Sequence, residues 1–291
     1  KKRILYLCGF WRFANAYIPE KYMKGAENMV KINGLFNDSD HLVTDMKGVF
    51  SIVEHQRDLA VSPLTAQAEF FMSKMGVRQK QALACMNGET SVITQAGAMQ
   101  WMAGDVHATT GIKGAGDLLG KIVKSAVTNE TAIKPEYVGN GYLMLEPTYK
   151  YLLLEDVSDW DGGLVLDDGL FLACEGTVRH KVEARSNVSS AVLGNMGLFN
   201  LKLEGKGICV LESNVPREQL VEINLVNDVL KIDGNFAVCW SGSLNFTTER
   251  SGKALVGSAV SGEGLVNVYK GTGRILLSTL DNPKTMATAA K

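Results

Sequence analysis

The sequence has little proline, few cysteines and no surplus of charge of either sign. Its 291 residues include 6 Pro and 5 Cys, and 30 Lys and Arg stand against 31 Asp and Glu, for a formal net charge of -1. A broad electrostatic contact with nucleic acid or anionic lipid needs an excess of Lys and Arg, so this balance argues against both and leaves room only for a local basic patch. No segment reaches the roughly 20 apolar residues that cross a bilayer.

The few cysteines are odd in number, widely spaced and set in apolar runs: Cys8, Cys85, Cys174, Cys209 and Cys239. This distribution is typical of buried thiols in a reducing compartment, so we expect a cytoplasmic protein. The sequence has no CxxC motif and no closely spaced Cys and His pair, and it therefore predicts neither a disulfide framework nor a structural zinc site. We expect no cofactor and no metal.

What the sequence does have is typical of a soluble globular protein that is rich in β-structure. Hydrophobic residues make up 46% of it, which excludes an unfolded polyelectrolyte. The length allows one large domain or two modest ones. Its 30 glycines against 6 prolines indicate that glycine forms most of the turns, as in chains dominated by strands.

The first residues resemble a signal peptide only in part. A basic pair precedes the apolar run ILYLCGFW, but Arg12 interrupts that run after eight residues, near the lower limit for a signal sequence. We interpret residues 1–45 as a partly irregular N-terminal extension, with Met29 as a plausible native start, and residues 281–291 as a C-terminal tail.

An internal repeat is the main signal in the sequence. A Gly-x-Gly followed by an apolar run occurs three times at a spacing of 66 residues, at Gly139 and Gly141, Gly205 and Gly207, and Gly271 and Gly273. The forty residues from Gly139 and the forty from Gly205 align without a gap and share eight identities. Equal spacing and gapless alignment together indicate duplication.

The second half of each repeat also occurs upstream. ITQAGAMQWMAGDV, LDDGLFLACEGTV and IDGNFAVCWSGSL share a turn, an apolar run and a glycine, which is Gly104, Gly176 or Gly242. We therefore predict one domain over residues 46–280 made of three units, approximately 46–138, 139–204 and 205–280, the first expanded by an insertion. All nine repeat glycines are expected to have structural roles.

The fold class that follows is mainly β. Runs of Val, Leu, Ile and aromatic residues, bounded by Gly, Asp and Asn, predict short strands joined by tight turns. We expect three tandem sandwich or barrel units in a pseudo-threefold arrangement, each covering a face that its neighbour cannot bury alone. Helical periodicity over Leu64–Met75 and Gly116–Asn129 predicts one or two short helices inserted in the first unit, either capping the β body or at an oligomer contact.

Four segments together carry a resemblance to a known family: GETSVITQAGAMQWMAGDV, FLACEGTV, FAVCWSGSL and SGEGLVNVYKGTGRILLSTL. Over roughly Gly48 to Leu280 the chain resembles the mitochondrial biogenesis, or altered-inheritance-of-mitochondria, family, as a bacterial member of unknown function. The resemblance implies a triplicated fold similar to that of the tryptophan-sensing RNA-binding attenuation protein (TRAP). It also implies no established reaction for bacterial members, a link to inner-membrane organisation for mitochondrial ones, and no catalytic motif to transfer.

Two motifs have some of the residues that a phosphate-binding or a catalytic site needs. Gly111–Ile122 (GIKGAGDLLGKI) partly resembles a phosphate loop, but Ala115 and Ile122 replace required residues, which favours a flexible entry to a helix. Glu146 and Glu212 are equivalent in the repeat, as a hydrolytic carboxylate pair would be, yet the third copy has Ser278. A strand-end role is the simpler interpretation of this position.

The other candidates also have simpler structural interpretations. The imidazoles of His41, His55, His107 and His180 occupy non-equivalent places, and Asp105 with His107 is the nearest approach to a metal-binding pair. Local positive charge comes from Arg78, Lys80, Arg179, His180, Lys181 and Arg185, and a solvated face explains it. Gln100, Trp101 and Met102 either line a pocket or fill the core, and the core is the preferred interpretation.

Three functions follow in order of preference. The first is a non-enzymatic β-scaffold that acts by forming homo-oligomers or by binding protein partners. The second is a module of TRAP-like type that binds a small ligand or RNA, although the net charge gives RNA no support. The third is a hydrolase built on Glu146 and Glu212.

Overall fold

The structure is a computed structural model that describes residues 30–35, 39–109, 134–184, 199–250 and 265–280. Within these ranges the chain forms sixteen β-strands, one α-helix and two single-turn 3₁₀ helices, which confirms the mainly β prediction. No helix in the described part is long and apolar enough to cross a membrane.

The elements follow one another in this order: β1 His41–Lys47, β2 Phe50–His55, α1 Ala66–Lys74, β3 Lys80–Asn87, β4 Val92–Thr94, β5 Met99–Thr109, β6 Glu136–Leu145, β7 Tyr151–Asp156, η1 Val157–Asp159, β8 Leu164–Leu166, β9 Phe171–Glu175, β10 Val178–Ala184, β11 Phe199–Gly205, β12 Ile208–Ser213, η2 Arg217–Gln219, β13 Leu220–Asp233, β14 Ala237–Ser241, β15 Asn245–Arg250 and β16 Leu265–Ser278. The helix α1 agrees with the prediction over Leu64–Met75. The helix predicted over Gly116–Asn129 lies outside the described residues, and β1 begins inside the predicted N-terminal extension.

The strands form two sheets, and every pairing is antiparallel. The nine-stranded sheet has the order β1-β2-β3-β6-β4-β9-β12-β7, with β5 added on β6. The seven-stranded sheet has the order β10-β11-β8-β14-β16-β13, with β15 added on β16. Long strands such as β6 and β16 pair with two successive partners along one side, so each participates in more than one ladder.

One ladder occurs in three places with the same register. In each place a strand that contains the Gly-x-Gly motif, or ends at its first glycine, pairs with the residues that follow Gly104, Gly176 or Gly242. The aligned Cα partners are Val106 with Gly139, and Val178 with Gly205. In the third place Asn245 aligns with Lys270, one residue beyond the equivalent Leu244 and Gly271. The register is therefore set at equivalent residues in each copy.

A second ladder and a β-bulge repeat in the same way. The aligned partners of the second ladder are Val92 and Tyr137, Leu164 and Leu203, and Leu230 and Tyr269. The β-bulge also occurs three times, each time directly after an equivalent residue pair. These pairs are Met99 with Leu145, Phe171 with Leu211, and Ala237 with Leu277. These recurrences are what duplication of one sheet-forming segment predicts, while the unit boundaries and the pseudo-threefold axis stay predictions.

Backbone geometry explains why glycine occupies the paired motif. Gly139 has φ of 120° and Gly141 has φ of 152°, a region that residues with a Cβ rarely adopt. A Cβ on Gly139 would also collide with the carbonyl oxygen of Asp105 on the paired strand. The other four glycines of the motif have positive φ as well: Gly205, Gly207, Gly271 and Gly273.

The remaining repeat glycines are in crowded positions. Gly104 has φ of 93°, and a Cβ there would lie 2.7 Å from the carbonyl oxygen of Asn140. Gly176 and Gly242 do not have positive φ, but a Cβ would collide with Ser91 Oγ in the first case and with the carbonyl oxygen of Gly162 in the second. Close approach of neighbouring strands, rather than turn geometry, requires glycine at these two residues.

The core consists of apolar clusters, one formed by the nine-stranded sheet, one by the seven-stranded sheet and one by strands of both. The largest clusters centre on Leu143 and Val210, on Leu164 and Leu211, and on Trp240 with Tyr269. One carboxylate ties separate strands together, because Glu175 accepts hydrogen bonds from the backbone N–H groups of Val49 and Ile208, each at 3.0 Å. This contact fixes the first hairpin against the start of β12.

Candidate binding site

The helix α1 lies on the body without burying any of its nine residues. Large apolar side chains on the helix and beside it are exposed, and we call these five residues the α1 surface: Leu59, Leu64, Phe70, Phe71 and Met75. Leu64 is 96% exposed, and Phe70 and Phe71 are each more than half exposed. The two Phe rings meet edge to face with centroids 5.6 Å apart. The result is an aromatic and aliphatic patch open to solvent.

Local sequence fixes the position of this helix. Its first turn begins where Ala66 N–H donates to the carbonyl of Ser62 at 2.9 Å. It ends in a Schellman motif, because Gly76 has φ of 79° while Val77 N–H donates to the carbonyl of Met72 and Gly76 N–H to that of Ser73. Backbone hydrogen bonds thus define where the helix begins and ends, although none of its side chains is buried.

A cavity of about 330 Å³ lies between α1, the end of β2 and the segment that leads into β3. Its walls carry aromatic and charged groups, among them His55, Arg57, Glu69, Phe70, Arg78 and Tyr149. The cavity adjoins the α1 surface at Phe70, so the apolar patch and the polar recess form one continuous region.

The cationic groups of the cavity bind partners within the chain. Arg57 binds the carboxylate of Asp40 through two hydrogen bonds. Arg78 donates to the backbone carbonyl of Gln56 at 2.6 Å, and its Nε lies 3.9 Å from Glu54. These contacts compensate the charge, and they make the region a polar rim rather than a strong site for an anion.

Tyr149 and His55 of the cavity are also in hydrogen bonds. Burial raises the pKa of the Tyr149 hydroxyl, opposed by a hydrogen bond with Gln79 that lowers it. His55 Nε2 lies 2.7 Å from Gln81 Oε1, and the ring of His41 meets the His55 ring edge-on at 5.1 Å. The arrangement suits recognition of an aromatic or aliphatic group with a polar end.

A second group, between β9 and β10, was not predicted from the sequence. Cys174 Sγ lies 3.5 Å from His180 Nε2. Burial raises the pKa of the Cys174 thiol far above its ordinary value, and burial together with the charge of Lys134 lowers the pKa of His180 to about 4. At neutral pH both groups are therefore uncharged, whereas a nucleophilic cysteine needs a thiolate. The short β9–β10 connection brings Cys174 and His180 together. Their spacing of six residues matches no known Cys–His motif, so the sequence does not indicate the contact.

The two glutamates considered for hydrolysis occupy equivalent backbone positions. The N–H groups of Glu146, Glu212 and Ser278 donate to the carbonyls of Ala98, Leu170 and Phe236, at 2.7 to 2.8 Å. The side chain of Glu212 also binds Lys150 at 3.1 Å. The shared hydrogen bond at a strand end accounts for the recurrence of this position in the sequence.

The other candidate residues are dispersed. Lys80 and Arg78 both lie near Glu54, while Arg179, His180 and Lys181 are on β10. His107 is an exposed residue of β5, next to Asp105 in the same ladder. Arg185, the stretch Gly111–Ile122 and Cys8 lie outside the described residues. Among the residues that the structure describes, no three His, Cys, Asp or Glu side chains come together as metal ligands would.

The predictions for buried residues are mixed. Cys174, Cys209 and Cys239 are buried and Cys85 is half-buried, in agreement with the sequence. Trp101 packs against the apolar cluster of Val53 and Tyr142. Met102, however, is 42% exposed, and Gln100 is exposed while its side chain binds Gln81. The core interpretation is therefore wrong for these two residues, because they lie on the solvent-facing side of β5, where exposed residues alternate with half-buried ones.

Comparison with known proteins agrees with this architecture. The family model described as mitochondrial biogenesis AIM24 matches residues 75–280. An uncharacterized protein of Streptococcus pyogenes serotype M6 is 30% identical over 199 residues, which cover 66% of this chain and 77% of that protein. A crystal structure of a Streptococcus pyogenes protein superimposes with a TM-score of 0.54 at 25% identity, covering 74% of this chain and 94% of the other. The chain belongs to the mitochondrial biogenesis AIM24 family.

Proposed function

We propose that this protein is a non-enzymatic β-scaffold that acts by binding another protein through the α1 surface. The observation that carries the proposal is a capped helix with no buried residue and five large exposed apolar side chains on it and beside it. Contiguous apolar patches of this kind, bordered by polar residues, mark interaction sites on soluble proteins.

The composition of the region fits a reversible protein contact. Phe70, Phe71 and Met75 belong to the residue types that are enriched at the centres of such interfaces. The charged side chains around the adjoining cavity, Arg57 and Arg78 among them, bind partners of their own and form the polar rim. Burying the exposed halves of the two Phe rings contributes on the order of 1 kcal/mol each.

The residues around the cavity support binding rather than catalysis. Its two arginines form internal ion pairs, and the one cysteine–histidine pair in the described part of the chain lies elsewhere, with both groups neutral. The partner we expect is a protein segment with an aromatic or aliphatic side chain that enters the cavity beside Phe70.

The test begins with a partner identified by mass spectrometry after copurification and then purified. Binding of that protein is measured by calorimetry for the parent and for Phe70→Ser/Phe71→Ser. We expect the double variant to bind at least tenfold more weakly. Val226→Ser is the control, because Val226 is an apolar residue of β13 that is 80% exposed and lies far along the chain from α1.

Several results would contradict the proposal. Equal binding by the parent and the double variant would place the contact elsewhere. Copurified nucleic acid, seen as excess absorbance at 260 nm, would favour RNA binding instead. A hydrolytic activity that is present in the parent and lost in Glu146→Gln would show an enzyme.

A further inference from the structure

Two ladders join successive repeats, and both have the same register. β4 pairs with β9 so that Val92 aligns with Glu175, and β8 pairs with β14 so that Leu164 aligns with Ser241. Each ladder is extended by one equivalent backbone hydrogen bond, from Gln95 N–H to the carbonyl of Leu172 at 2.7 Å and from Asp167 N–H to the carbonyl of Val238 at 3.1 Å. We call these the inter-repeat ladders.

The repeat supplies the two strands of a third inter-repeat ladder, but the described chain leaves them apart. The segment of β13 at Leu230–Ile232 is equivalent to β8, and the segment of β5 at Trp101–Ala103 is equivalent to the paired part of β9 and β14. In the described residues β13 pairs only with β16 and β5 only with β6. Among the residues that the structure describes, each segment therefore has one open edge.

Exposure distinguishes these segments from their paired equivalents. In β8 the three residues Leu164, Val165 and Leu166 are at most 4% exposed. On the open segments the central residues of the two strands are exposed, with Met102 at 42% and Lys231 also exposed, whereas Ile232 is 9% exposed. An edge strand with unpaired backbone groups and exposed apolar side chains is a template for another strand.

We infer that the β13 edge of one copy of this chain pairs with the β5 edge of a second copy. The two existing inter-repeat ladders fix the register, with Leu230 opposite Ala103, Lys231 opposite Met102 and Ile232 opposite Trp101. The N–H of Asp233 then donates to the carbonyl of Gln100, the residue at the repeated bulge. This contact is separate from the α1 surface and does not depend on the function proposed for it.

A dimer is the smallest closed assembly that leaves neither edge open. Among the described residues each chain carries one edge of each kind, so two copies related by a twofold axis would form the β13–β5 contact twice. A second copy is the partner that carries the complementary edge in the required register. Lys231 does not oppose this pairing, because its Nζ lies 3.6 Å from the Glu249 carboxylate of its own chain and its aliphatic stem is free to lie along Met102.

Disulfide trapping between two single variants tests the register and the partner together. Full-length Lys231→Cys and Met102→Cys proteins are mixed, oxidised with diamide, and analysed on a non-reducing gel and by peptide mapping. A second mixture uses Leu230→Cys with Ala103→Cys, because neighbouring cross-strand pairs alternate in geometry and one of the two suits a disulfide better. Lys231→Cys with Ala103→Cys is the control, since a slip of one residue places the two side chains on opposite faces.

We expect at least one matched mixture to yield tenfold more of the linkage between β5 and β13 than the slipped control. Circular dichroism checks that each variant is folded, and sedimentation of the unsubstituted protein should show a dimer. An intrachain linkage in the Met102→Cys/Lys231→Cys double variant, independent of protein concentration, would overturn the assignment to a second copy. Equal linkage in matched and slipped mixtures would overturn the register.

Discussion

The neutral imidazole of His180 gives the fold a specific sensitivity to acid. The ring is half-buried beside Cys174 and meets Phe171 edge-on at 5.1 Å, and burial with the nearby charge of Lys134 lowers its pKa from 6.5 to about 4. The folded protein therefore keeps the ring neutral at a pH where the unfolded chain binds a proton. The stability that results is fully present above pH 6.5 and is lost as the pH falls toward 4.

The size of the effect follows from proton linkage. With an unfolded pKa of 6.5 and a folded pKa of about 4, moving from pH 8 to pH 5 removes about 2 kcal/mol from the free energy of unfolding. A His180→Phe variant keeps an aromatic ring against Phe171 but has no proton to bind. We therefore expect the variant to lose about 2 kcal/mol less than the parent over the same change in pH.

Urea denaturation at pH 8 and pH 5, followed by tryptophan fluorescence, measures this difference. His107→Gln is the matched control, because it removes an imidazole that is exposed on β5. The quantity compared is the loss of unfolding free energy between pH 8 and pH 5. A substitution that changes the stability equally at both pH values therefore does not affect the result. If the parent and His180→Phe lost the same free energy, His180 would not be held neutral in the folded state, and the argument would fail.

Two further predictions concern the sheet. Replacement of Gly139 by Ala should lower the free energy of unfolding by about 2 kcal/mol more than replacement of Gly271 by Ala. A Cβ on Gly139 meets a backbone carbonyl, whereas the nearest atom to a Cβ on Gly271 is 3.6 Å away, so that only the positive φ is strained there. Equal losses in urea denaturation would contradict the difference in crowding between the two glycines. Glu175→Ala should cost about 2 to 4 kcal/mol, because it leaves two backbone N–H groups without their carboxylate acceptor. An unchanged melting temperature would show that water or another group replaces that acceptor.

The sequence was sufficient to predict the features that the repeat dictates. The Gly-x-Gly spacing and the second repeat glycine mark positions where paired strands approach closely, and the structure has the same register there in three places, as at Val106 with Gly139 and Val178 with Gly205. The helix over Leu64–Met75 was predictable because its residues are helix formers and Gly76 follows as a stop signal.

The candidate site could not be predicted in the same way. The cavity beside α1 is formed by Tyr149, Phe70 and the end of β2, which come together only when Lys80 and Thr148 exchange backbone hydrogen bonds. The Cys174–His180 contact depends on a tight connection between two strands and has no distinguishing spacing. Exposure of Met102 was missed because an apolar run looks the same in sequence at an open edge and in a core.

The proposed contacts lie where the copies differ. Residues that determine the strand register are constrained in every copy of the repeat, because a change there alters strand pairing. These residues are therefore poorly suited to a function that differs from copy to copy. Among the described residues α1 occurs only in the predicted first unit, although Tyr149 of the predicted second unit also lines its cavity, and open inter-repeat edges occur only in the predicted first and third units. The recurring ladders form the body of the fold, whereas α1 and the two open edges are where partner recognition is able to vary without disturbing the shared register.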